Sequence, residues 1–339
     1  MNAVDEYSRV RVTLGFAAKN YGFEVVPAFA TGVTITSLAH DVRQVRPGCL
    51  FVPIGHVDKR QLEAARDAGA YAALVPPEFR NDASSLGLPL LVSSYNPVAL
   101  GKLACDINGD PSSCIATFAV AGDDDDEIHA NVIRLADFLH MLGNPVGIIS
   151  DSGSMSLQRE LSLQYPLHIA DVQHTLSVCA EDGAAAVVIA LNSATLSKNA
   201  LQSVNIDVLG AEESSAEKIS SEESSAEKIS SEKSELKSEP KSELKSELKS
   251  SVEKTALDYM PPLRRLSFYS LRQRYGFASR DHAYCVTRSP ESDELAQLAD
   301  QIGGKDVRKH LSLTIAMVLA AGVRRGTIKS ALRVSRELR

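Results

Sequence analysis

Short apolar runs alternate with stretches of helical periodicity along most of the chain. A run at residues 49–54 is followed by a helical period near 61–68, a second run at 71–75 and a third at 88–93. Runs of this length between polar segments read as buried strands, and their alternation with helices predicts layered α/β structure. Asn96-Pro97 opens a helix expected to reach about Asn108, and Gly109-Asp110-Pro111 is a turn signal that marks a boundary. The first unit is therefore residues 1–110. Beyond it the theme repeats, with strands expected at 114–121, 146–150 and 185–191 and helices at 128–142 and 171–182. Apolar runs this uninterrupted predict a mostly parallel sheet covered on both faces. A strand at 282–287 and helices at 292–302, 307–321 and 327–338 are expected to close the chain.

The alternation stops between residues 212 and 254. The decad Glu212-Glu213-Ser214-Ser215-Ala216-Glu217-Lys218-Ile219-Ser220-Ser221 is repeated identically from Glu222 to Ser231, and Ser-Glu-Leu-Lys tetrads follow from Ser234 to Lys249 with one Pro240 variant. So few apolar groups cannot offset backbone ordering at roughly 1–2 kcal/mol per residue, so a disordered or transiently helical insertion is expected. It splits the second unit into 111–211 and 255–339. Its role is either a solvated insertion from repeat expansion or an interaction tether, in which case the folded parts are anchors for a scaffold.

With 339 residues and 44% hydrophobic content, the chain can bury two cores. Its 36 basic and 43 acidic residues give a net charge of −7, which argues against nucleic acid as a partner. Cys49, Cys105, Cys114, Cys179 and Cys285 form no C-x-x-C pair and read as reduced residues of a cytosolic protein. No signal peptide is expected at Met1 to Glu6, and the apolar stretch from Leu311 to Val323 is too short and polar for a bilayer. A cytoplasmic protein without membrane insertion is the expectation.

Chemistry enters at the junction of Phe118-Ala119-Val120-Ala121-Gly122 with the helix that follows, where Asp123, Asp124, Asp125, Asp126 and Glu127 stand in a row. A strand ending in glycine before a helix N-terminus is an anion site, because unpaired N–H groups and the helix dipole favour negative charge. Here the chain supplies that charge itself, and no phosphate-binding Lys or Mg-binding Ser/Thr stands in the loop. Adjacent acids on one helical turn point in different directions, so a solvated helix cap is expected rather than a metal cluster. His129, His140, His168, His174 and Cys179 show no metal-ligand spacing and are expected to be core or surface residues.

The residues around these acids resemble the Mur ligases, cytoplasmic ATP-dependent enzymes that add amino acids to UDP-N-acetylmuramoyl peptides. Ala119-Val120-Ala121-Gly122 followed by the acids resembles the family's Gly-Val-Thr-Gly-Thr-Asn-Gly-Lys-Thr-Thr loop, and Leu139-His140-Met141-Leu142-Gly143-Asn144-Pro145-Val146-Gly147-Ile148-Ile149 its next helix end and strand. Asp41-Val42-Arg43-Gln44-Val45-Arg46-Pro47-Gly48-Cys49-Leu50-Phe51-Val52 resembles the Asp-Ser-Arg-x-Val-x-Pro-Gly-x-Leu-Phe-Val signature of the tripeptide synthetase branch. Leu257-Asp258-Tyr259, Phe268 to Gly276 and His310 to Gly322 resemble later segments of the central domain. The resemblance implies a small N-terminal UDP-binding-like α/β domain, followed by a P-loop-like, mostly parallel sheet domain with helices on both faces.

It also implies how the chemistry has changed. Ligation phosphorylates a carboxylate with ATP before an amine attacks, which needs a phosphate cradle and Mg²⁺. The family's loop Lys falls on Asp126 and its Thr on Glu127. Its metal-serving Glu and His fall on Ala190 and Ala194, another His on Ala256, and its carbamylated Lys on Arg272. Its Asn-x-Asp-Asp falls on Val286-Thr287-Arg288-Ser289. Neither ATP nor Mg²⁺ is therefore expected as a cofactor. The expectation is a pseudoenzyme acting as a binding or regulatory module in peptidoglycan precursor synthesis; the alternative is an ATP-dependent ligase completed by a partner. Asp41 and Arg43 match the signature that implies contact with the UDP moiety, although its Ser is Val42 and Asp58-Lys59-Arg60 replaces an Asp-Gly pair. Without such contact they would simply pin a turn ahead of Pro47-Gly48. The resemblance ends with the central domain, so the family's C-terminal domain is expected to be absent. An apolar and basic face carrying Ile328, Leu332 and Val334 would then be exposed, for a homodimer or an acidic-surfaced cell-wall-synthesis protein.

Overall fold

The computed structural model describes residues 11–94, 96–211, 262–299 and 305–337. The repeat at 212–254, Ala256 and the Leu257-Asp258-Tyr259 segment lie outside the described residues. The N-terminal unit runs α1 (Leu14–Tyr21), β1 (Glu24–Val26), β2 (Ser37–Ala39), β3 (Cys49–Phe51), α2 (Lys59–Asp67), β4 (Ala72–Val75), α3 (Ala83–Leu86), β5 (Leu90–Val92) and α4 (Pro97–Ile107). Its sheet has the order β1-β5-β4-β3-β2, parallel except for β1 against β5. Leu50, Phe51, Leu90 and Leu91 are wholly buried in it, which is why β3 and β5 read as apolar runs. Asn96 caps α4 by accepting the Ala99 N–H at 3.1 Å, and Pro97 sits where its missing N–H costs nothing.

The second unit runs β6 (Ala116–Ala121), α5 (Asp125–Met141), β7 (Val146–Ile149), β8 (Ser154–Ser156), β9 (Arg159–Leu161), α6 (Ile169–Glu181), β10 (Ala186–Ala190) and β11 (Asn205–Ala211). After the undescribed segment come α7 (Pro262–Tyr275), β12 (Ala278–Val286), α8 (Pro290–Gln297), α9 (Lys305–Ala320) and α10 (Arg325–Glu337). The sheet order is β12-β11-β6-β10-β7-β8-β9, with parallel pairing from β12 to β7 and an antiparallel hairpin at the far edge. Successive residues of β10 serve opposite faces. Val188 and Ala190 pack with Val132, Leu135, Leu311 and Ile315 of α5 and α9, whereas Val187 and Ile189 pack with Val172 and Leu176 of α6 and with Phe268 of α7. Cover on both faces is what the uninterrupted apolar runs predict.

Two features depart from the pattern expected. Strand β11 lies inside the sheet, between β12 and β6, although Asn205, Asp207 and Gly210 interrupt its apolar run; Asp207 Oδ2 accepts the Thr117 N–H at 2.8 Å, so this polar residue is a sheet fastener. The exposed apolar face expected on the last helix is also corrected. Ile328 and Leu332 are 0% and 2% exposed within the core shared with α5 and α9: their four-residue spacing puts both on one face, and that face packs inward. Arg325 fastens α10 to Glu294 at 2.9 Å, on the exposed side. Among the described residues, no helix is long and apolar enough to cross a membrane.

The two units share packing. Ile169, at the start of α6, is buried in the N-terminal core beside Leu100, Leu103 and Ala104 of α4. Gly101 lies so close to the turn before β11 that an added Cβ would meet the Gln202 Cβ at 2.4 Å and its carbonyl carbon at 3.0 Å. A mid-helix glycine costs roughly 1 kcal/mol against alanine, and here that cost admits the neighbouring backbone.

Gly101→Val is expected to destabilise the protein by about 1–3 kcal/mol through overpacking, read as a lower urea midpoint. Ile328→Ala is expected to cost about 2–4 kcal/mol as a core truncation. Unchanged midpoints would show these contacts to be slack.

Candidate functional site

Because β6, β10 and β7 are parallel, their C-terminal ends share one edge of the sheet, the place where α/β proteins bind ligands. Gly122 and the acids leave β6 there and turn directly into α5. Asp124 is the N-cap, its Oδ1 accepting the Asp126 N–H at 2.8 Å, and Asp125, Asp126 and Glu127 form the first turn. Asp123 to Asp126 are exposed, as a solvated cap requires. Glu127 is paired with Lys309 of α9 at 2.7 Å. The acids thus complement the helix dipole and one basic partner.

Behind them four side chains from three connections meet. His129, one turn into α5, places Nε2 2.8 Å from Oδ1 of Asp151, which follows β7. The Thr195 hydroxyl donates to the same oxygen at 2.6 Å and accepts the Asp151 N–H at 3.1 Å. Asn192, just after β10, donates to Asp151 at 3.3 Å and accepts the Thr195 N–H at 2.8 Å. Burial pushes the Asp151 carboxyl up, but hydrogen bonds from Thr195, His129 and Asn192 outweigh it and hold the group below its ordinary range. The knot uses up polar groups at the strand ends. His129 alone carries no ligand spacing, and its partner Asp151 lies 22 residues away on another connection, so only the sheet joins them.

The other positions singled out by resemblance are scattered around this edge. Ala190 ends β10 fully buried, and Ala194 is exposed beside Thr195; neither methyl can ligate a cation. Arg272 is exposed on α7. Arg288 pairs with Asp293 at 2.9 Å and Ser289 caps α8. Neither alanine nor either arginine can ligate Mg²⁺. Among the described residues, no group of three or more His, Cys, Asp or Glu could hold a metal ion.

A cavity of about 510 Å³ opens between the two units, walled by Val52, Ile54, Leu74, Ser93, Asn96 and His40 on one side and by His168, Ile169, Ser197 and Lys198 on the other. Asp41 and Arg43 do not line it. Asp41 caps the short turn Val42–Gln44, and its carboxylate grips the Arg43 guanidinium at 2.5 Å; hydrogen bonds from that side chain and its N–H hold the Asp41 carboxyl down to about 2. The Arg43 Nη2 also reaches Gln164 of the second unit at 3.4 Å.

No family model matches the chain. Its sequence is 30% identical over 189 residues to the UDP-N-acetylmuramyl-tripeptide synthetase of Deinococcus radiodurans, covering 52% of this chain and 37% of that protein. It is 23% identical over 184 residues to the protein of the same name from Limosilactobacillus reuteri, covering 52% and 34%. With the UDP-N-acetylmuramoyl-L-alanyl-D-glutamate--2,6-diaminopimelate ligase of Streptomyces coelicolor it shares 27% over 169 residues, covering 48% and 32%. The chain thus spans about a third of the length of the curated relatives it matches. In structure, it resembles MurF from Acinetobacter baumannii with a TM-score of 0.50 and 12% identity, covering 95% of this chain and 67% of that one. That likeness bears on the fold.

Asp151→Ala is expected to destabilise the protein by about 1–3 kcal/mol, because it strands buried donors on Asn192 and Thr195. Since the native carboxyl is held low, its contribution is present above the unfolded carboxylate value and lost as pH falls through the native one. Acid unfolding of Asp151→Asn should therefore flatten relative to wild type; superimposable curves would contradict this role.

Proposed function

We propose that this chain, a relative of the Mur ligases in sequence and fold, serves peptidoglycan precursor synthesis by binding rather than by ligation. The observation that carries the proposal is the phosphate edge. Where a ligase of this kind needs a cation against the transferring phosphoryl group, Asp126 and Glu127 stand, and Glu127 already engages Lys309. Behind them, the His129, Asp151, Asn192 and Thr195 knot satisfies its own hydrogen bonds instead of presenting them to a ligand. Four acidic side chains at the helix mouth would repel ATP.

The ligand we propose is a UDP-N-acetylmuramoyl peptide, held in the cleft between the units. Support comes from the cavity's size, which lies within the range of small-molecule sites, and from its apolar walls with a few polar groups converging from both sides. Asp41 and Arg43 act in this scheme by fixing the turn that follows His40, with the UDP moiety beside it. The work proposed is cytoplasmic. A partner docking through Ile328 and Leu332 is not part of it, since both side chains are internal.

Titration calorimetry tests the two halves separately. ATP·Mg is expected to show no dissociation constant below about 1 mM, or about −4.1 kcal/mol, and UDP-N-acetylmuramoyl dipeptide to bind in the range of about 1–100 μM. Tight binding of ATP·Mg would overturn the non-catalytic assignment. Failure of the nucleotide sugar to bind would overturn the ligand.

A further inference from the structure

We propose that the cleft between the two units is held by a proton-counting latch, in which His40 of the first unit faces His168 and Asp171 of the second, and that charging both imidazoles opens it. The latch stands on contacts across the interface and is independent of what the cleft binds. His40 leaves β2, and His168 and Asp171 lie at the start of α6. The two imidazole centroids are 5.1 Å apart with their planes tilted by 59°. His40 Nδ1 lies 3.4 Å from Asp171 Oδ1, and Asp171 Oδ2 accepts the His168 N–H at 2.9 Å. The His40 and Asp171 side chains are only 15% and 14% exposed.

One carboxylate faces two imidazoles here. His40 Nδ1 is buried beside Asp171 and makes no hydrogen bond. With both rings charged, two positive imidazoles stand 5.1 Å apart with one carboxylate between them. Burial, and then the neighbouring His40, hold His168 below the ordinary histidine value. Burial pushes Asp171 up, against the His168 N–H and the histidines at 40, 168 and 174. The other charged groups facing the latch are Asp41 on the adjoining turn, already engaged by Arg43, the exposed His174 on α6, and Lys198 across the cavity.

The sign follows from linkage. His168 takes up its proton less readily with the cleft closed than open, so closure is favoured above the ordinary value of about 6.5 and penalised as pH falls below it. The apolar contacts of Ile169 and Gly101 hold the closed state together at neutral pH, and the latch adjusts it.

The chain contains no tryptophan, so Ile54→Trp, in the cavity wall, places a single reporter there. Acrylamide quenching of this full-length variant is expected to rise at least about twofold between pH 7.5 and 5.5 as the open population grows. That rise should vanish when His168→Gln or His40→Gln is added and persist with His174→Gln. Imidazole NMR of the wild type, with His168→Gln for assignment, should show His168 titrating below about 6.5. Quenching that ignores pH, a rise that survives His168→Gln, or a His168 titrating at or above the ordinary value would each overturn the latch. If Ile54→Trp does not fold, the wild-type titration decides alone.

Discussion

Parallel pairing of β10 with β6 on one side and β7 on the other is the constraint on which the site depends. It sends the segments following Ala121, Ile149 and Ala190 out of the same edge of the sheet. Residues far apart in the chain, His129, Asp151 and Asn192, therefore arrive within hydrogen-bond reach of one another. Parallel strands need crossovers, and here α5 and α6 are those crossovers, each burying an apolar stripe on its own face of the sheet. The strand-end geometry at which α/β proteins bind ligands is therefore present here.

Charge and hydrogen bonding act together at this edge. The acids at the start of α5 take the favourable end of the helix dipole, and Glu127 takes Lys309. The four-membered knot behind them ties α5 to the segments that follow β7 and β10. Asp151 is the common acceptor of the knot, taking hydrogen bonds from Asn192 and Thr195 beside His129.

The second organising contact is the junction of the two units. Gly101 lets α4 approach the Gln202 backbone, and Ile169 is buried in the neighbouring unit's core. The cleft they border is apolar along its walls and titratable at His40, His168 and Asp171. Packing energy and proton occupancy therefore act on one interface.

The sequence by itself determined the layering, because an apolar run such as 185–191 or an amphipathic period such as 128–142 must find cover whatever its neighbours are. It also determined the acid cap, since Asp124 needs only its own helix to act. Strand β11 escaped because Asp207 and Gly210 break the apolar pattern for reasons that lie on Thr117 and on the Met317 side chain that packs over the glycine. The outward face expected of Ile328 and Leu332 failed because periodicity gives a stripe but not the direction in which it points; α5 and α9 supplied that. Histidines at 40 and 129 look isolated along the chain, and each gains its carboxylate, Asp171 or Asp151, only through the domain junction or a sheet edge. Local patterns encode elements; the chemistry of this chain was decided by tertiary structure, because its partners are brought together by strand order and domain docking.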